Sequence, residues 1–204
     1  MSITTKFRRA QGLAETIVAM TILITAISSL VTMVMTAGIA RNSNQYATVA
    51  ANLAREGVEV VVAKRNDNWI NDLPFDNGMY AGTNDYTFEL SFNPATSAWT
   101  FDGTPNFITD GTAKMYVYVS PATYPGLMVQ ASSPPANTAS TPYSRLVTLD
   151  CICYNGTTES FASSGSSCTG SNVKIGVRIN STVQWLDKGA NHSISVVETI
   201  YDWR

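Results

Sequence analysis

From Thr16 to Ala40 the chain runs 25 residues without a charge, and no other feature narrows its possible folds as much. At ~1.5 Å of rise per residue, about 20 helical residues cross a ~30 Å hydrocarbon layer, so this run is long enough to span a bilayer. The first proline is Pro74, and nothing breaks a helix before it. Lys6, Arg8 and Arg9 precede the run, whereas Arg41 alone follows it at once. The positive-inside rule therefore predicts a cytoplasmic N-terminus with the rest of the chain outside. A secretory signal has an apolar region of about 7–15 residues and then a small-residue cleavage site. "GIA" at 38–40 has the composition of such a site, but the run before it is roughly twice too long. Arg8 and Arg9 are all that suggests a twin-arginine export signal.

A plain anchor explains the run but not Glu15, the single charge between Gly12 and Ala40. An acidic residue at mid-membrane costs roughly 2.5–3.5 kcal/mol on insertion scales, and less near the interface. Such a group is a functional candidate and needs a named partner. No Lys or Arg lies on the apolar side within reach. The remaining cation is an α-amino group freed by cleavage just before the run.

These residues resemble the N-terminus of type IV pilin and pseudopilin precursors: basic leader, small residue, cleavage point, Glu at the fifth mature position, long apolar helix. On that resemblance "MSITTKFRRA" is the leader, Ala10 its last residue and Gln11 the first mature residue, which makes Glu15 fifth. The family usually has Gly before the cut, so Ala10 departs from the pattern; cleavage after Gly12 would make Glu15 third. The resemblance implies a membrane-embedded prepilin peptidase that cuts on the cytoplasmic side and methylates the new amine. It also implies that Glu15 meets the N-terminal amine of a neighbouring subunit in a filament core. Two unit charges ~4 Å apart interact by about 4 kcal/mol at an effective dielectric of ~20, before desolvation. A register error would leave a buried charge unpaired, at several kcal/mol. Glu15 is then a register key more than a source of stability.

Beyond Arg41 the pattern turns amphipathic. Tyr46, Val49, Leu53, Val58 and Val61 form one stripe, and the charged residues lie mostly elsewhere. A continuation of the helix is expected over 41–66, ended by "NDNW" at 66–69 and by Pro74. Gly57 within it costs about 1 kcal/mol relative to Ala. "ANLAREGVEVV" at 51–61 also looks like the corresponding stretch of many minor pilins and pseudopilins.

Residues 67–204 read as a β-rich extracytoplasmic head. "YTFELSF" alternates Tyr86, Phe88, Leu90 and Phe92 with polar residues, and "VKIGVRI" alternates Val173, Ile175, Val177 and Ile179 with Lys174, Gly176 and Arg178. "KMYVYV", "RLVTLDCICY" and "SISVVETIYDW" supply further strands. Turn-rich segments at 75–78, 101–106, 132–142 and 187–191 separate them. The expected fold class is α+β: a long N-terminal helix, half membrane-spanning (11–40) and half amphipathic (41–66), packed on an antiparallel sheet. In outline that is the pilin head.

Cys151 and Cys153 share a strand face, and each is within loop reach of Cys168 across "YNGTTESFASSGSSCTG". One bond would close a loop worth about 3 kcal/mol, with the nearer Cys153 favoured and Cys151 left as a small buried residue. Three reduced thiols are the alternative, and the spacing with no nearby His is poor for zinc.

Catalytic patterns are missing: the single histidine, His192, falls in an expected loop, and no GxSxG, P-loop or HExxH occurs. Asp72, Asp76, Asp102 and Asp110 lie in loops of the kind that bind calcium in some pilin-like heads, but their spacing matches no known calcium loop. Tyr80, Trp99, Tyr116, Tyr118 and Trp185 are expected in packing rather than in a ligand patch. The sequon matches at Asn155, Asn180 and Asn191 carry little weight outside a eukaryotic secretory context. No cofactor, metal or catalysis is expected. The net charge is −2, and losing Lys6, Arg8 and Arg9 leaves a more acidic subunit, so no nucleic-acid partner is expected.

The resemblance implies a filament subunit, more minor than major in character. It starts as a single-pass precursor in the inner membrane and ends in a cell-surface fibre. Its partners would be other pilin subunits, the prepilin peptidase, the inner-membrane assembly machinery and, before assembly, the lipid bilayer. The rivals are a pseudopilin of a type II secretion or DNA-uptake system and a membrane-anchored binding module that never polymerises.

Overall fold

The computed structural model describes residues 4–80, 87–102, 107–119, 123–162 and 168–203, with side chains from Gly12 onward apart from that of Asp102. The side chains of Lys6, Arg8, Arg9, Ala10 and Gln11, and all of Tyr86, lie outside the described residues. Helix α1 covers Thr4–Ile70. The chain divides into two units, Met1–Gln45 and Tyr46–Arg204.

The second unit holds the last turns of α1 and eight strands: β1 (Thr87–Asn93), β2 (Ala98–Asp102), β3 (Lys114–Tyr118), β4 (Met128–Gln130), β5 (Thr138–Tyr154), β6 (Glu159–Ala162), β7 (Val173–Asp187) and β8 (Ala190–Tyr201). All pairings are antiparallel. The long β5 organises the sheet. One edge of it pairs with β7 from Tyr143 to Tyr154, and β8 lies beyond β7. Its other edge serves β3, β1 and β6 in turn, with β4 beyond β3 and β2 beyond β1. The fold is α+β, a long helix followed by an antiparallel sheet, as the sequence predicts.

The amphipathic stripe forms the core. Val58, Val60 and Val61 pack with Phe88, Leu90, Val147, Leu149, Val177, Ile179 and Ile200. One to two turns earlier, Ala50, Leu53 and Ala54 pack with Met115, Tyr143, Val183 and Trp185. Between these clusters Gly57 brings the helix close to the sheet. A Cβ there would collide with Ser181 Oγ and lie 3.2 Å from Val147 Cγ2. The glycine's low helix propensity is thus traded for close packing.

The helix outruns its expected end at 65–66. "NDNW" is helical, and α1 stops at Ile70 with Leu73 N–H bonded to Asn68 O, Asp72 N–H to Trp69 O, and Asp72 at φ 57°. This Schellman arrangement satisfies the last carbonyls, and Pro74 follows. The stop fails at 66–69 because the Asn68 side chain is fully buried and donates to Phe75 O (3.0 Å) and Asn77 O (2.8 Å), which ties the helix to the next turn.

Three other expectations need correction. The turn-rich segment 132–142 ends inside β5, whose strand begins at Thr138. Pro142 is tolerated because only β3 pairs with β5 there, and its register shifts between Lys114 and Tyr116. In β7 the alternation of 173–179 breaks at its start. A register shift opposite Ile152/Cys153 leaves Ile175 unpaired with β5, so Lys174 turns inward and Val173 is exposed. His192 lies on β8 rather than in a loop, because a two-residue turn, Lys188–Gly189, begins the strand at Ala190. The short strands β2, β4 and β6 have no clear periodic signal; β6 falls inside the segment expected to be a loop.

Candidate functional site

Helix α1 is long and apolar enough to cross a membrane, and its apolar window is unburied. Leu13, Ile17, Met20, Leu23 and Val34 are all exposed. Seven hydroxyl side chains interrupt the apolar surface, and each bonds to a backbone carbonyl three or four residues earlier: Thr16, Thr21, Thr25, Ser28, Ser29, Thr32 and Thr36, at 2.8–3.0 Å. A hydroxyl closed on its own helix presents mainly methylene and methyl surface, which is how such residues enter hydrocarbon at low cost. Glu15 is the exception. It is exposed and, among the described residues, has no hydrogen-bond or ion-pair partner. Along the apolar stretch Gly12–Ala40, Glu15 is therefore the one charged group, and it is left without a partner among the described residues.

No family model, curated protein or solved structure matches this chain.

In the second unit the most heavily partnered polar group is Arg145, which sequence reasoning missed. Its guanidinium, fully buried, donates to Glu56 Oε1 (2.8 Å), Leu53 O (3.3 Å), Leu90 O (3.1 Å) and Gln130 Oε1 (3.1 Å). Gln130 Nε2 in turn donates to Arg145 O (2.8 Å) and Thr112 O (3.3 Å). Burial pushes the arginine's pKa down, and the Glu56 carboxylate opposes that shift. The network joins α1, β1, β4 and β5 with its donors and acceptors matched, so it is a clamp rather than a reactive centre. One signal was readable in advance: Arg145 shares the core-facing parity of Val147 and Leu149.

Cys153 is bonded to Cys168, the pairing favoured by proximity, with Cα atoms 5.7 Å apart. Cys151 is a buried thiol outside that bond, 3.4 Å from Tyr80 Oη. Burial, then the hydrogen bond to Cys151, pushes the Tyr80 phenol far above its ordinary value, so it stays neutral.

The other candidates do not converge. Asp76 pairs with Lys174, Asp110 Oδ2 accepts from Phe107 N–H, and Asp72 caps α1. Among the described residues no group of His, Cys, Asp and Glu is placed to hold a metal ion. Tyr116 and Trp185 are buried, and Trp99 packs against Phe92. Asn155 is tied into its own turn through Thr157 and Thr158.

Proposed function

We propose that this chain is a structural subunit of a type IV pilus-like filament, assembled through its N-terminal helix and devoid of catalysis. One observation carries the reading. A bilayer-length helical surface has every hydroxyl satisfied internally, and at its head stands a single carboxylate with no partner among the described residues. A simple anchor has no use for that carboxylate, whereas a neighbour's freed α-amine is a matching cation. On this reading a prepilin peptidase cuts after Ala10 and exposes the amine of Gln11, which it methylates. The subunit waits in the inner membrane with its β-rich part outside, then moves into a helical bundle in which Glu15 fixes the axial register. The same geometry serves a pseudopilin, with the same processing and the same role for Glu15.

The deciding measurement is the N-terminal mass of the mature protein from its native host. The expected result is a chain starting at Gln11 with one added methyl group. A start at Arg41 would mean an ordinary secreted protein, and an intact Met1 or Ser2 would favour the anchored binding module. Either result overturns the proposal.

A further inference from the structure

Strand β8 is twelve residues long and pairs with β7 alone among the described residues. The phase of that pairing follows from two observations. Asp187 stands opposite Ala190 across the Lys188–Gly189 turn, whose φ values of 51° and 81° are those of the twisted two-residue hairpin turn. Just past the strand, Asp202 N–H donates to Ile175 O at 2.8 Å. Even-numbered residues of β8 thus bond to β7. By antiparallel alternation, the main-chain groups of Asn191, Ser193, Ser195, Val197, Thr199 and Tyr201 point to the other edge.

That edge lacks the usual guards against strand addition. Between Ala190 and Tyr201 there is no proline and no Lys or Arg, and the register against β7 is unbroken. The one acidic residue is Glu198, on the same sheet side as His192, Ile194 and Val196, opposite the core residues of β7. His192 is exposed and held flat on Trp185, with ring centroids 5.5 Å apart and planes at 22°. Ile194 and Val196 are only partly covered, and Glu198 is exposed.

We infer that this edge pairs antiparallel with β8 of a second copy of the chain, about a twofold axis at Ser195. Outward-facing residues must pair with outward-facing residues, which restricts the allowed registers. Centring on Ser195 sets His192 across from Glu198 of the second copy and Ile194 across from Val196, each twice by symmetry. On the opposite face Ser193 meets Val197 and Asn191 meets Thr199. About ten main-chain hydrogen bonds form. The neighbouring allowed registers place Glu198 across Ala190 or Ile194 and lose both imidazole–carboxylate pairs. The match of imidazole to carboxylate therefore selects a second copy and one alignment. The inference stands apart from the filament reading, since it uses only the second unit.

The test is cysteine cross-linking of the full chain in detergent micelles under a mild oxidant, read on a non-reducing gel. In a hydrogen-bonded antiparallel pair the Cα atoms are ~5.5 Å apart, within disulfide range. Ser195→Cys, at an exposed position, is expected to form a dimer as the main product, well above wild type. Ser193→Cys alone should stay monomeric, and mixing it with Val197→Cys should restore the dimer. Glu198→Lys should cut the Ser195→Cys dimer several-fold, and Glu15→Ala should leave it unchanged. A Ser195→Cys yield no higher than wild type overturns the proposal. So does equal cross-linking of Ser193→Cys alone, which would mean random collision, or loss of the dimer with Glu15→Ala, which would mean contact through the helix.

Discussion

At the scale of single residues, two positions oppose what composition alone would suggest. Gly57 sits in a helix interior, where exchange for alanine ordinarily gains about 1 kcal/mol. Here the added methyl meets Ser181 and Val147 across the closest approach of helix and sheet, so Gly57→Ala should destabilise by about 1–3 kcal/mol. Urea unfolding checks the sign. Arg145 is a charge in a core position; removing it takes the guanidinium donors from the Glu56 carboxylate and Leu90 O and leaves Gln130 Oε1 only the Leu90 N–H at 3.4 Å. Arg145→Ala is expected to cost about 3–5 kcal/mol, and Arg145→Met less because it fills the space without a charge to desolvate; paired melting curves test the order. The cysteine pairing was legible because its signal is local: three thiols within one segment. Gly57 and Arg145 were not, since the residues that explain them, Ser181 and Gln130, are brought near only by the fold.

At the scale of elements, long periodic segments were readable and short ones were not. α1 and the cores of β5, β7 and β8 have enough repeats for their period to show. β2, β4 and β6 hold only a few residues each and exist because a neighbouring strand supplies their hydrogen bonds. The bulge in β7 was equally hidden, for it arises from pairing and shifts Lys174 to the core side without any change in local composition. The Cys153–Cys168 bond closes a sequence separation of 15 residues behind β6. Cys168→Ser should therefore lower stability by about 3 kcal/mol in the chain-entropy model. Because the strand pairing of β6 among the described residues is with β5 alone, hydrogen exchange in Glu159–Ala162 should rise more than in β7. Equal acceleration in both strands would count against a local role for the bond.

At the scale of the whole molecule, the two units carry separate tasks in the proposed reading. Glu15 has no partner among the described residues, so Glu15→Ala should leave the melting temperature of the second unit unchanged while abolishing filament formation. Calorimetry and electron microscopy on the same preparation check both halves of that expectation. The closure of all seven hydroxyls on their own helix bears on the step from lipid to bundle. None of them has to exchange a hydrogen-bond partner when the surroundings change. Lipid and protein are then nearly interchangeable solvents for this surface. In the proposed reading, the free energy of transfer then reduces to side-chain packing and to whether one carboxylate finds an amine.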